Sequence, residues 1–304
     1  FVPPALNGAV MSISLQPDGR MVIGGGFTNL ALRNRVARLN EDGSLDTDYA
    51  ALMNPDQSVN AIHVQGDGSA VFAGSFTTVT GIARSRIARF TPTGLLEQTL
   101  AVAGPNNGGV MTIAAQEDGK ILVGGVFTEF GGMERHRIVR LHGANGAVDT
   151  GFTAGFGVSV YAIAVLPDRR ILVGGAFASV NSMERRRLAL LHPDGTLDTS
   201  FDAQIADGSV VAIVPMLDGR ILIGGDFTQI AGVNRQGIAR LLADGTLDTS
   251  FTPPASNGII RAIAVQASGR VVIGGDFTAL GGGWVRNRIA RLHANGNYDG
   301  SFVT

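Results

Sequence analysis

Residues 218–228 read Asp218-Gly-Arg-Ile-Leu-Ile-Gly-Gly-Asp-Phe-Thr228, and relatives of this string recur at 18–28, 67–77, 118–128, 168–178 and 268–278. Its phenylalanine falls at 27, 76, 127, 177, 227 and 277, spaced by 49, 51, 50, 50 and 50 residues. Six units of that length fill all 304 residues. A fixed period of this size marks a repeat architecture, in which one unit buries its apolar face only against its neighbours.

One unit predicts short strands and no helix. Residues 259–266 alternate and are β-branched, a Gly turn follows at Ser268-Gly269, and residues 270–277 form a second β-rich run. After a loop of some eight residues comes a third run at 288–292. A further Gly turn at Asn295-Gly296 leads to a short fourth element around 298–302. Short runs separated by Asp-Gly or Asn-Gly are hairpin signals. About four antiparallel strands per unit, six times over, predict an all-β, six-bladed β-propeller. A solenoid is the rival, but its coils are usually shorter and need polar end caps. Here residues 1–8 match residues 251–258 at six of eight positions, and Phe1 and Phe302 occupy the same repeat position. The expectation is one propeller domain over 1–304, its ring closed by overlap of the N- and C-terminal segments.

Composition narrows the function classes. The chain is 45% hydrophobic and 16% charged, too apolar for a disordered segment. No run of 18 apolar residues predicts a membrane helix, so no membrane insertion is expected. Net charge is -1, without the basic excess expected of a nucleic-acid binder. There is no cysteine for a disulfide, thiolate metal site or nucleophile. Beginning at Phe1, the chain reads as a mature or excised segment.

The Asp-Gly-Arg-Ile-Leu-Ile-Gly-Gly-Asp-Phe-Thr string, together with the Arg-Leu-x-x-Asp-Gly-Thr-Leu-Asp-Thr-Ser-Phe string that follows it, resembles the delta-60 repeat, a β-propeller repeat family of bacterial, often surface or secreted, proteins. The resemblance covers all six units. Unit two departs most, with Ala73 before Gly74-Ser75 and Leu95-Leu96-Glu97 in place of the Leu-Asp string. The resemblance implies the fold and an extracellular or cell-surface setting; it implies no activity.

Several repeated residues have structural readings. A glycine pair at 24–25, 124–125, 174–175, 224–225 and 274–275 weakens a strand unless something approaches closely, and a neighbouring blade is the expected cause. Small residues at Ser12, Ala61, Thr112, Ala162, Ala212 and Ala262 place the first strand innermost, where strands crowd. Of the 23 arginines, 17 lie in or just before the third strand, and an acid follows at Asp46, Glu97, Asp149, Asp198, Asp248 and Asp299. Arginine forms two-point bonds with carboxylates that lysine does not, so ion pairs within or between blades are expected. The Asp-Gly-x-x-Asp strings raise calcium as a cofactor, but they lack dense oxygen-ligand spacing and Asp before Gly is a turn former; the expectation is no cofactor. His142, His192 and His293 share one repeat position and so lie one per blade.

The one-to-two and three-to-four connections are tight Gly turns, so all longer loops share the opposite face, where function is expected. Residues at the start of the first strand differ between units: Met11, Asn60, Met111, Tyr161, Val211 and Arg261. They are expected at the channel mouth, with no carboxylate cluster among them. His63 stands alone within its first strand, and Trp284 sits beside Gly281-Gly282-Gly283 in the longest two-to-three loop. Asn60, His63, Tyr161, Arg261 and Trp284 are the candidate ligand-binding residues; no catalytic or metal site is assigned. The leading reading is a non-catalytic interaction or structural module binding a protein or extracellular polymer. The alternatives are a glycan-binding, lectin-like propeller, which four Trp and Tyr residues in total support poorly, and a hydrolase with one site at the channel mouth.

Overall fold

The computed structural model describes residues 1–30, 33–49, 53–98 and 104–302. Among them there is no helix, only strands, bridges and turns. The fold is an all-β, six-bladed β-propeller. Each blade is a three-stranded antiparallel sheet with its second strand in the middle. The first strands are Val10–Leu15, Val59–Val64, Val110–Ala115, Val160–Val165, Val210–Pro215 and Ile260–Val265. The second strands run Met21–Gly25, Ala70–Gly74, Ile121–Gly125, Ile171–Gly175, Ile221–Gly225 and Val271–Gly275. The third are Val36–Leu39, Ile87–Phe90, Ile138–Leu141, Leu188–Leu191, Ile238–Leu241 and Ile289–Leu292. The chain divides into two compact units, Phe1–Phe152 with blades 1–3 and Thr153–Thr304 with blades 4–6.

The expected fourth strand shrinks to a single bridge per blade: Leu39 with Leu45, Phe90 with Leu96, Leu141 with Val148, Leu191 with Leu197, Leu241 with Leu247 and Leu292 with Tyr298. The acid that follows ends it. Asp248 Oδ1 accepts the Ser250 amide at 3.0 Å and turns the backbone away from the sheet. The expected two-to-three loop instead contains a small hairpin in blades 2–6, such as Ala279–Leu280 with Trp284–Val285 in blade 6.

The core lies between blades. Phe76, Phe127, Phe177, Phe227 and Phe277 are all buried. Phe227 packs with Leu172, Leu188 and Leu190 of blade 4, and Phe277 with Leu222 and Ile238 of blade 5. Within each unit the first strands of successive blades touch, as the innermost assignment requires. Ser12 and Ser14 of blade 1 accept the Ile62 and Val64 amides of blade 2 at 3.0 and 3.4 Å.

The two glycines of the repeat have separate causes. A side chain at Gly24, Gly174 or Gly224 would meet Val59, Val210 or Ile260 of the next blade, the close approach expected. A Cβ at the second glycine would instead hit its own blade: 2.0 Å from the Ala9 carbonyl at Gly25 and 1.9 Å from that of Ser209 at Gly225. At this point every first strand slips register by one residue. Val10 pairs with Gly25 but Ser12 with Gly24, and the pattern recurs in all six blades.

Three repeated arginine positions have three separate roles. The last arginine of the third strand pairs with the following acid: Arg38 with Asp46, Arg89 with Glu97, Arg140 with Asp149, Arg240 with Asp248 and Arg291 with Asp299, at 2.6–2.9 Å. These are the ion pairs expected. Arg38, Arg140, Arg240 and Arg291 also lie 4.1–4.8 Å from the ring centres of Tyr49, Phe152, Phe251 and Phe302. Arg38, Arg89 and Arg240 staple their blade to the next through Nη1, which donates to the carbonyls of Pro92, Gly143 and Ala294 in turn. A second group departs from the expected ion pairs and binds backbone carbonyls: Arg35 to Pro55, Arg86 to Pro105, Arg137 to Val126 and Phe127, Arg187 to Ala176 and Phe177. These four and Arg288 hold φ between 63° and 71°, a left-handed conformation that glycine adopts freely; blade 5 carries Gly237 there. The third role belongs to Arg20, Arg170, Arg220 and Arg270 in the one-to-two turns, within 3.2–3.6 Å of Asp46, Asp198, Asp248 or Asp299; each is a second cation on that acid except Arg170, because blade 4 has Leu190 in place of the strand arginine.

Candidate functional site

The bulge positions the candidate residues. A β-bulge leaves one residue unpaired, bends its strand and re-aims its side chain. The unpaired residues are Met11, Asn60, Met111, Tyr161, Val211 and Arg261, one per blade, at the long-loop end of each first strand. All six keep some solvent exposure, Met11 and Arg261 the most. One backbone device thus presents six side chains of five kinds.

The loops around them are pinned. An Asn or Asp before the first strand accepts the amide of the Thr that follows the repeated Phe: Asn7 from Thr28, Asp56 from Thr77, Asn107 from Thr128, Asp207 from Thr228 and Asn257 from Thr278, at 2.7–3.0 Å. Each clasp spans 21 residues and joins two loops of the long-loop face. Blade 4 has Gly157 and Ala178 there instead. The opposite face is closed by tight turns, as in Gly19 N to Gln16 O at 3.1 Å and Gly43 N to Asn40 O at 2.9 Å.

The five candidate residues occupy distinct settings. Asn60 donates through Nδ2 to the Val110 carbonyl of blade 3 at 2.8 Å, and its Oδ1 accepts the Ser58 hydroxyl. Its amide therefore links two blades. His63, three residues deeper in that strand, is half-buried, and burial lowers its pKa below the ordinary 6.5. Tyr161 is half-buried. Arg261 holds the Asp276 carboxylate at 2.8 and 2.5 Å. That hydrogen-bonded pair raises the arginine pKa and lowers that of the acid. Trp284 does not join the bulge residues. It stacks on Tyr298, with ring centres 4.8 Å apart and planes at 29°, beyond the third strand of blade 6. Three inter-strand steps, roughly 14 Å, separate that edge from the strand of Arg261. Among the described residues, no hydrogen bond, ion pair or ring contact joins Tyr161, Arg261 and Trp284.

The bulge residues themselves include no carboxylate, but two carboxylates stand at the same end of blades 5 and 6. Asp226 and Asp276 follow the second strands of these blades; Asp276 touches the bulge residue Arg261, and Asp226 accepts the Ser209 amide at 2.6 Å. Reading along the first strands alone misses them, because this end of each blade also includes the residue after the second strand. Their signal was present: the residue after the glycine pair is acidic only in these two units. Between blades 5 and 6 the same face holds a cleft of about 450 Å³ lined by Asp226, Thr228, Gln236, Ser256 and Asn257. No group of three or more His, Asp and Glu suited to a metal occurs among the described residues.

With this architecture, a bulged β-propeller of six near-identical blades, the chain belongs to the β-propeller family described as a domain of unknown function, DUF5122. The family model matches residues 16–49, 65–99, 116–152, 166–201, 217–251 and 266–302, one match per blade. No curated protein matches the chain. Among solved structures it is similar to YCF48 bound to D1 peptide (TM-score 0.57, 12% identity, 92% of this chain and 80% of that one). It is also similar to virginiamycin B lyase from Staphylococcus aureus (0.55, 18%, 97% and 84%). A third is PorZ, described as a bacterial surface component of the type-IX secretion system of Porphyromonas gingivalis (0.56, 13%, 94% and 40%). At these identities the likeness is one of fold.

Proposed function

We propose that the chain is a non-catalytic binding module of a bacterial surface or secreted protein, of the delta-60 repeat type, which takes a protein or polymer segment on its long-loop face. One observation carries this reading. The framework repeats in every blade, yet the residue at the bulge changes from Met to Asn, Tyr, Val and Arg. Identical scaffolding with changed side chains at one point is what a recognition surface needs, because binding residues work best on pinned loops. The cleft beside Asp226 and Gln236 adds concave polar surface on the same face. The description of YCF48 as bound to a peptide, and of PorZ as a surface component, supports the reading by analogy of fold. The glycan alternative has one observation in its favour, the Trp284–Tyr298 stack of blade 6.

The test compares cross-linked partners in extracts of the source cells. One variant combines Tyr161→Ala, Asp226→Ala, Gln236→Ala and Arg261→Ala; a second carries Asp118→Ala and Asp168→Ala in the one-to-two turns of the opposite face. Partners lost only from the first support the reading. The same partners retained by both overturn it.

A further inference from the structure

We propose that blade 6 carries a carbohydrate-binding platform, in which the exposed face of Trp284 stacks against a pyranose ring and Arg286 bonds its hydroxyls. Six copies of one blade act as an internal control. What all blades share serves the fold; what one blade changes at touching positions needs another reason. Where blade 6 has Trp284, blades 2–5 have Ile82, Met133, Met183 and Val233. Where it has Tyr298, the other blades have Leu45, Leu96, Val148, Leu197 and Leu247. These two departures meet in space as a stacked pair.

A third departure makes room for them. The blade 6 hairpin is one residue longer, with three consecutive glycines. Gly282 and Gly283 both lie in the left-handed region, at φ 86° and 83°. A Cβ on Gly282 would stand 3.0 Å from the indole Nε1 of Trp284, so a side chain there would push the indole off its seat. The turn is therefore shaped around the tryptophan.

The result is an exposed indole backed by a tyrosine ring that also carries a guanidinium. Trp284 remains 47% exposed although Tyr298 covers one face of its ring. The Arg286 guanidinium lies 5.2 Å over the Tyr298 ring and uses Nη1 on the Val285 carbonyl, leaving further N–H groups for a ligand hydroxyl. Sugars present an apolar C–H face and a polar hydroxyl edge, and this pairing of ring and guanidinium matches both. A backed single ring suits one pyranose unit at the end or edge of a polysaccharide. The platform is separate from the bulge residues, so it stands whether or not the long-loop reading does.

The chain has one tryptophan, so its emission reports this site alone. We would titrate the protein with cellohexaose, laminarihexaose, chitohexaose, mannohexaose and a galactan oligosaccharide, each to about 10 mM, a limit that still detects weak single-ring binding. The expected result is a saturable emission change with at least one sugar. By calorimetry, Trp284→Ala should lose about tenfold or more in affinity for that sugar at unchanged melting temperature. Tyr298→Leu, which installs the residue of four other blades, tests the support of the ring and should weaken binding while the blade stays folded. Failure of all five sugars to change the emission overturns the proposal. So does undiminished binding by Trp284→Ala, or saturation of the emission by a polyproline peptide and by none of the sugars.

Discussion

Arg240 and Asp248 meet at 2.6 Å in blade 5, both nearly out of solvent, and the same guanidinium reaches the Ala294 carbonyl of blade 6 at 2.6 Å. One side chain thereby closes the end of its own blade and fastens the next.

Arg240→Ala is expected to lower unfolding free energy by about 2–4 kcal/mol, because it leaves Asp248 buried with only Arg220, at 3.6 Å, to offset its charge. The double variant with Asp248→Ala should cost less than the sum of the single changes, since it removes the stranded carboxylate. Denaturant melts of the four proteins measure both effects. Equal and additive losses would mean that the pair does not couple.

The same pair sets a response to acid. Bonds from Ser250 and Arg240 outweigh the cost of burial and hold the Asp248 carboxyl at about 2, below the ordinary 3.8. A depressed folded-state value means that the unfolded chain binds the proton first as pH falls. The stability from this group is present above about pH 4 and is lost as pH drops from there towards 2. Melting temperatures between pH 6 and 2 should fall less steeply for Asp248→Asn, from a lower starting value. An unchanged slope would contradict this linkage.

His63 acts at higher pH by another cause. Burial holds its folded pKa below 6.5, so the unfolded state gains the proton first as pH falls through that value. Its share of stability is present above about pH 6.5 and declines below it. His63→Ala, which installs the residue of Ala114, Ala164 and Ala264, should remove this part of the pH dependence between 7.5 and 5. Parallel pH profiles for the two proteins would argue against a buried neutral imidazole.

Three adjacent glycines in blade 1 should respond unequally to alanine. At Gly26 a Cβ has nothing within 4 Å, and the change should lie within about 0.5 kcal/mol. At Gly25 the Cβ would fall 2.0 Å from the Ala9 carbonyl at the bulge, and a loss of more than about 2 kcal/mol is expected. Gly24→Ala should fall between them, because its Cβ would meet side-chain ends, Ile62 Cδ1 at 2.7 Å and Val59 Cγ1 at 2.8 Å, and not a backbone carbonyl. Thermal melts of the three proteins rank them directly.

How much of this was written in the sequence depends on whether a feature is fixed by spacing or by pairing. The blade count follows from the phenylalanine period, and the Arg240–Asp248 pair from an arginine and an acid that recur eight or nine residues apart in five blades. The bulge is different. It is a slip between two strands, visible only once Val10 is seen opposite Gly25 and Ser12 opposite Gly24. The carboxylates Asp226 and Asp276 are not legible beside the bulges because they follow the second strand and reach the first only through that pairing. The clasps from Asn7 to Thr28 and from Asp56 to Thr77 had a signal, a 21-residue offset between an Asx and a Thr, but one that crosses the blade and not a turn. Trp284 was legible as a candidate, yet its contact with Tyr298 was not, since 14 residues of hairpin and third strand separate them. The left-handed arginines gave no warning; only Gly237, standing at the same position, hints at the backbone they share.

Leu190 takes the place of the stapling arginine in blade 4. The joint between blades 4 and 5 is then greased where that between blades 5 and 6 is riveted: Leu190 packs with Phe201, Phe227 and Leu241, and no guanidinium crosses from that position to the following turn. Such a contact slides more readily than a directional bond, so a tug on the chain or a brief swelling of the interior should part these two wedges before blades 5 and 6.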